Sequence, residues 1–190
     1  MMDRRTALKR TALMMGGVLS SSAIAGVLNG CTAKKEVDWK PVFLSEDQAV
    51  TTAELAERII PKTDTPGAKD VGVPEFIDMM LNDVYTEEEQ QHFMDGLAKL
   101  DEDSKSEYGD AFAFLQPEQM DAIIQKQADE VEGYEGEGAP FFLMAKELVM
   151  LGFYTSEVGA TEVLQYKQVP GYYEGCISIE EAGGKTWATS

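Results

Sequence analysis

The chain has 190 residues, of which 34 are acidic and 16 are basic, and its formal net charge at pH 7 is −18. Because nucleic-acid binding depends on neutralising phosphates with lysine and arginine, this charge excludes DNA and RNA as partners. The length suits one domain with a single core, and 44% of the residues are hydrophobic, so the acidity does not indicate disorder.

The first 30 residues have the pattern of an export signal. Residues 4–9 resemble the twin-arginine translocation signal, because the pair Arg4 and Arg5 is followed by Leu8 and Lys9. The apolar stretch after them contains several glycines and serines, which makes it too weakly hydrophobic for a permanent membrane span. We therefore predict a periplasmic protein exported by the twin-arginine route. An ordinary secretory signal is the alternative.

Residues 28–31, Leu-Asn-Gly-Cys, resemble a lipoprotein cleavage box that ends in Cys31. Acyl chains on this cysteine would anchor the protein to a membrane, since each buried methylene contributes about 0.8 kcal/mol. The alternative is a structural cysteine just beyond a conventional cleavage site. We expect the second cysteine, Cys176, to be buried; pairing across a subunit boundary, modification, or a disulfide with an unlipidated Cys31 stay open. Residues 31–44 are predicted to be a tether.

Residues 45–190 predict a single all-α domain, an irregular helical bundle with an extended C-terminal tail. The first helix begins with a capping box at Ser45 and ends before Pro61. A loop rich in Thr, Asp, Pro and Gly follows over residues 62–72. Pro74 then lies at a first-turn position of the second helix.

The second half of the domain also reads as helices. Thr86 caps a third helix, which we expect to end before a separate short acidic helix over residues 101–108. Another helix begins at Pro117. Residues 141–154 form the most apolar segment, and their apolar side chains nearly surround the helix, which predicts the central element of the bundle. The tail, residues 166–190, is expected to be extended and to wrap the bundle.

The residues that could carry chemistry do not form a recognisable catalytic set. The single histidine, His92, follows two glutamines and is expected at the surface. A zinc site would need more His or Cys than the chain has, and neither a nucleotide-binding Gly-rich loop nor a haem-attachment motif is present. We therefore assign no catalytic, cofactor-binding or metal-binding residue. The sequence predicts a protein that binds a partner.

Several short stretches occur in an order and spacing that match a known family. They are residues 59–78, the Gly96-Leu97 pair, and the tail stretches 152–157 and 169–176. Together they resemble the gluconate 2-dehydrogenase subunit 3 family. The resemblance covers roughly residues 45–180.

The resemblance implies a non-catalytic subunit of a periplasmic, membrane-attached sugar or sugar-acid dehydrogenase. In this family the large partner is an FAD-containing flavoprotein of the glucose-methanol-choline oxidoreductase type, and a cytochrome c subunit with haem often takes the electrons. The large subunit commonly lacks its own signal and is exported folded, with its flavin, on the small subunit's twin-arginine leader. A lipid on Cys31 would give this complex its own membrane attachment.

We expect two elements to dock on the large subunit, the proline-rich loop and the aromatic tail. A lasting complex should bury more than about 1,200 Å² around apolar and aromatic residues. The residues expected to make these contacts are Pro61, Pro66, Pro74, Phe76, Tyr166, Tyr172, Tyr173 and Trp187. The alternative is structural, with prolines that shape a turn and aromatics that cap the core.

Two other functions stay open at the level of sequence. A free-standing acidic lipoprotein that binds a sugar or a cation would show a deep pocket ringed by aromatics and carboxylates. An enzyme would need convergent carboxylates of raised pKa. An exposed apolar patch without such a pocket would favour the accessory subunit.

Overall fold

The computed structural model describes residues 35–132, 134, 138–169, 171 and 176–188. The predicted leader with its arginine pair, the predicted lipidation residue Cys31, and the tail residues Tyr172 and Tyr173 lie outside the described residues. The chain divides into two units, Met1–Lys35 and Glu36–Ser190. The helices of the described residues belong to the second unit.

Five α-helices follow one another in the described part of the chain, and no strand occurs there beyond an isolated bridge between Gln165 and Trp187. This confirms the all-α fold class. A 3-10 turn precedes α4, and a π-helical segment follows α5. The elements in chain order are α1 Glu46–Ile59, α2 Val73–Asp83, α3 Glu87–Tyr108, the 3-10 turn Phe112–Phe114, α4 Pro117–Glu132, α5 Phe141–Thr155 and the π segment Gly159–Val163.

Both predicted capping boxes are present. The Ser45 hydroxyl accepts from the backbone N–H of Gln48 at 3.3 Å, and the Gln48 side chain accepts from the N–H of Ser45 at 2.9 Å. Thr86 and Glu89 make the same reciprocal pair at 3.4 and 2.9 Å. Because each cap satisfies donors that the first turn leaves unpaired, it contributes about 1 kcal/mol to its helix.

The prediction of a separate helix over residues 101–108 is wrong. α3 is continuous for 22 residues, from Glu87 to Tyr108. Leu97, Leu100 and Ser104 lie on its buried side, and the Ser104 hydroxyl donates to the Leu100 carbonyl at 2.7 Å. A run of acidic residues on the solvent side does not interrupt a helix, so α3 ends only at Gly109, where φ is 87°.

α5 is central to the bundle, as its sequence predicts: it contacts each of the other four α-helices, as α1 also does, and it is the most apolar of the five. Two glycines allow its neighbours to come close. A Cβ on Gly96 of α3 would lie 2.1 Å from the ring of Phe141, and one on Gly152 of α5 would lie 2.7 Å from the ring of Phe76 on α2. Phe141 also meets Phe93 edge to face, with ring centroids 5.4 Å apart.

A buried carboxylate attaches the N-terminal segment to α2. Asp78 is 1% exposed, and its carboxylate accepts from three consecutive backbone N–H groups, those of Val42 at 2.7 Å, Phe43 at 3.1 Å and Leu44 at 2.7 Å. Hydrogen bonds to an ionised acceptor are stronger than those between neutral groups. Residues 42–44, at the end of the predicted tether, are therefore fixed to the helical domain just before α1 begins.

Replacing Asp78 should destabilise the domain strongly. In Asp78→Ala the three N–H groups lose their acceptor, and we expect the free energy of unfolding to fall by about 3 kcal/mol in urea denaturation. Asp83→Ala is the matched control on the same helix, because Asp83 is exposed and accepts from the neighbouring Asn82 side chain. That variant should lose less than about 0.5 kcal/mol. Equal losses would contradict the role of Asp78.

The Gly96–Phe141 contact predicts that replacing this glycine by alanine lowers the free energy of unfolding, which is the opposite of the usual effect inside a helix. Alanine inside a helix normally stabilises by about 0.5–1 kcal/mol relative to glycine. Here the new methyl group must displace the Phe141 ring, which costs about 1–3 kcal/mol, so we expect Gly96→Ala to destabilise. In a Phe141→Leu background the same change should cost less, as a double-mutant cycle of unfolding free energies would show. A stabilised Gly96→Ala protein would refute the close contact.

Candidate interaction surface

The loop between α1 and α2 is organised around the side chain of Glu57. One carboxylate oxygen accepts from the backbone N–H of Lys62 and the other from that of Lys69, both at 3.0 Å. A Cβ on Gly67 would lie 2.4 Å from the same carboxylate. The glycine therefore gives the Glu57 side chain the space to reach both amides, and the loop is a fixed structure.

Ion pairs on the loop surface add to this arrangement. Lys62 pairs with Asp70 and Lys69 with Glu54, each at 2.9 Å. The Lys62 ammonium and the backbone N–H of Gly67 lower the pKa of the Asp70 carboxyl. Because the folded-state pKa is lowered, this contribution is present above the ordinary pKa and is lost as the pH falls through the lowered value. The Lys62–Asp70 pair is exposed to solvent, so it contributes little to stability, whereas Glu54 of the second pair is half-buried.

The predicted docking residues of this region differ in exposure. Pro61 is exposed and Pro66 is half-buried, so both can meet a partner. Pro74 is buried at the second position of α2, and half-buried Phe76 packs against Gly152 of α5. Pro74 and Phe76 therefore join α2 to the bundle, and their contact with a partner stays a prediction.

The described part of the tail folds back on Gln165. The Gln165 side chain donates to the carbonyls of Ala182 at 2.5 Å and Lys185 at 2.6 Å. Tyr166 and Trp187, two of the predicted docking aromatics, are exposed on either side of this contact. Their positions leave the docking prediction open, and the remaining pair of predicted tyrosines lies outside the described residues.

The expected burial of Cys176 is wrong. Its thiol is free and exposed. The physical reason is that the segment 176–188 makes a turn against residue 165, whereas the buried core is built from residues 44–153. An isolated cysteine is buried only where its segment enters the core.

Sequence reasoning missed an exposed apolar surface on α5. Met150, Leu151 and Tyr154 are 41%, 47% and 38% exposed, and their spacing places them on one side of the helix. We call these three residues the α5 face. The Tyr154 ring meets the buried Phe153 ring edge to face, with centroids 5.4 Å apart. The only sequence evidence for this exposed surface was that apolar residues nearly surround α5. Periodicity alone did not indicate which side of the helix stays exposed.

Charged side chains border the α5 face. Glu147 is exposed one turn before Leu151, Lys146 is exposed one turn before Met150, and Glu157 is exposed just beyond the end of the helix. Burial, followed by the charges of Glu89 and Glu147, raises the pKa of Tyr85, which lies just after α2. The negative charge of Glu147 therefore acts on the Tyr85 hydroxyl.

A shallow cleft of about 260 Å³ lies between α3, α4 and α5. Its polar groups pair with their neighbours: His92 Nε2 is 2.9 Å from the Ala139 carbonyl, and Lys99 pairs with Glu130 at 3.2 Å. His92 is exposed, as predicted.

Over the described ranges, no group of three or more His, Cys, Asp or Glu residues could hold a metal ion. No helix of the described part is both long and apolar enough to cross a bilayer.

The described domain is helical, and its most apolar helix leaves one side exposed to solvent. The family model for gluconate 2-dehydrogenase subunit 3 matches residues 46–171, a range that contains α1 to α5. The chain therefore belongs to this family, and it is an accessory subunit of a dehydrogenase complex. Comparison with curated proteins and with solved structures gave no significant match.

Removing Glu57 should loosen the proline-rich loop without unfolding the bundle. In Glu57→Ala the backbone N–H groups of Lys62 and Lys69 lose their acceptor, so we expect their hydrogen exchange to accelerate about fivefold or more. Exchange measured by NMR provides the test. Glu75→Ala, a change of the same type at an exposed position of α2, should leave both rates unchanged. Unchanged exchange in Glu57→Ala would show that the loop does not depend on this carboxylate.

Proposed function

We propose that the protein is the small, non-catalytic subunit of a periplasmic, membrane-attached dehydrogenase that oxidises a sugar or a sugar acid. Its partner is a larger FAD-containing flavoprotein of the glucose-methanol-choline type, and a cytochrome c subunit takes the electrons in complexes that contain one. The family match over residues 46–171 carries this proposal. The exposed apolar α5 face supports it, because such a surface suits a protein partner.

The leader has a specific role in this proposal. A flavoprotein acquires its flavin as it folds in the cytoplasm, so its export requires a route that accepts folded proteins. The signal at Arg4, Arg5, Leu8 and Lys9 would direct the small subunit into that route together with its bound partner. Acyl chains on Cys31 would then attach the exported complex to a membrane. Binding, export and assembly are thereby coupled through one chain.

The cleft favours a second candidate function, a lipoprotein that binds a sugar. Aromatic and carboxylate side chains line it, including Tyr134, Phe142, Asp95 and Glu130. Its volume of about 260 Å³ lies below the range of about 300–1,000 Å³ that is usual for ligand pockets. Calorimetric titration of the isolated protein with gluconate or glucose separates the two functions, since the accessory subunit should give no binding heat.

The export role predicts that this chain and its flavoprotein partner are exported together or retained together. In the native host, a tagged full-length chain should be recovered from the membrane with a larger polypeptide whose flavin absorbance bleaches when a sugar or sugar acid is added. With both Arg4→Lys and Arg5→Lys, both polypeptides should stay in the cytoplasm. Arg10→Lys is the matched control, since it changes an arginine outside the pair, and it should export normally.

Two results would contradict the proposed function. One is a protein that is recovered alone and oxidises a sugar unaided. The other is normal export of the flavoprotein when the arginine pair is replaced. Immunoblots of cytoplasmic, periplasmic and membrane fractions give the second readout directly.

A further inference from the structure

We infer that the α5 face is the centre of the surface that binds the larger subunit, and that the complementary surface is apolar with a basic border. This inference rests on the proposed function, and it names the contact through which that function is carried out. It assigns the central role to Met150, Leu151 and Tyr154, in place of the proline-rich loop and the aromatic tail.

The first argument is the exposure of the α5 face on a helix that is otherwise central. Ala145, Leu148 and Val149 of the same helix are each 1% exposed. The three residues of the face are large and apolar, yet 38–47% of their surface is open to solvent. Burying such side chains in a complex removes apolar area from water and drives association.

The second argument is rigidity. α5 contacts every other α-helix, and Gly152 lets it approach the ring of Phe76 closely. Tyr154 is positioned by its edge-to-face contact with buried Phe153. A surface that is already ordered loses little conformational entropy on binding. Tyr166 and Trp187 also expose aromatic area, but their segment is attached through Gln165 outside the core.

The third argument is charge, which distinguishes between the possible binding partners of the α5 face. Glu147 and Glu157 border the face with one lysine, Lys146, so the border has a net negative charge, and the whole chain carries a net charge of −18. A second copy would bring the same charges into contact, and an anionic bilayer would also repel this surface. A protein with basic residues around an apolar centre would be attracted, and its association would be faster at low salt.

Two tyrosines of nearly equal exposure provide the test. Tyr154 on the α5 face is 38% exposed and Tyr108 at the end of α3 is 37% exposed. The probe is the flavoprotein subunit separated from the native complex, and the measurement is its dissociation constant with each full-length variant. We expect Tyr154→Ala to raise this constant about tenfold or more and Tyr108→Ala to change it less than about twofold.

A second variant tests the charge argument. Leu151→Lys places an ammonium in the apolar centre of the contact, next to the expected basic border, so its desolvation and the repulsion should weaken binding more than Leu151→Ala does. Added salt should weaken binding of the wild-type chain because it screens the attraction between the two borders. Circular dichroism melts establish that each variant is folded. We expect all of them to fold, because the replaced side chains are exposed.

The outcomes separate this inference from the proposed function. If the wild-type chain captures no flavoprotein, the proposed function fails and the inference fails with it. If the wild-type chain binds while Tyr154→Ala and Leu151→Lys bind equally well, the function stands and the docking centre is overturned. Dimers of the wild-type chain in sedimentation that Tyr154→Ala abolishes, or binding to lipid vesicles that it abolishes, would also overturn the inference.

Discussion

The close contacts at two glycines determine which way the central helix faces. Gly96 admits the Phe141 ring at the start of α5, and Gly152 near its end receives the Phe76 ring. With both ends of the helix fixed against α3 and α2, its rotation about its own axis is fixed as well. The side that carries Met150 and Tyr154 must then point to solvent. Both glycines lie in stretches that carry the family resemblance, which gives those stretches a packing role.

A different kind of interaction connects the N-terminal segment to this bundle. Asp78 lies on the buried side of α2, where the pattern of the helix calls for an apolar residue, and it accepts from the three amides of residues 42–44. A buried carboxylate without such donors would be costly, so the segment and the helix depend on each other. Residues 42–44, the end of the predicted tether, therefore become part of the same cooperative unit as the core.

The sequence predicts features that depend on neighbouring residues and misses those that depend on packing. Capping at Ser45 and Thr86 involves residues three positions apart, and both caps are confirmed. The break expected after Leu100 is absent because acidic residues favour solvent without breaking a helix. The exposed thiol of Cys176 and the uncovered side of α5 depend on how distant segments meet, which no local pattern contains. The family match was predictable because it relies on order and spacing along the chain.

The attachment of residues 42–44 to Asp78 also limits where the complex can be. If Cys31 carries lipid, the 11 residue-to-residue steps from Cys31 to Val42 span at most about 40 Å even when fully extended. Any force along this segment acts on the interior of α2 and not on a loose end of the bundle. With that lipid in place, a bound dehydrogenase would thus remain within a short distance of the bilayer, set by the length of this segment.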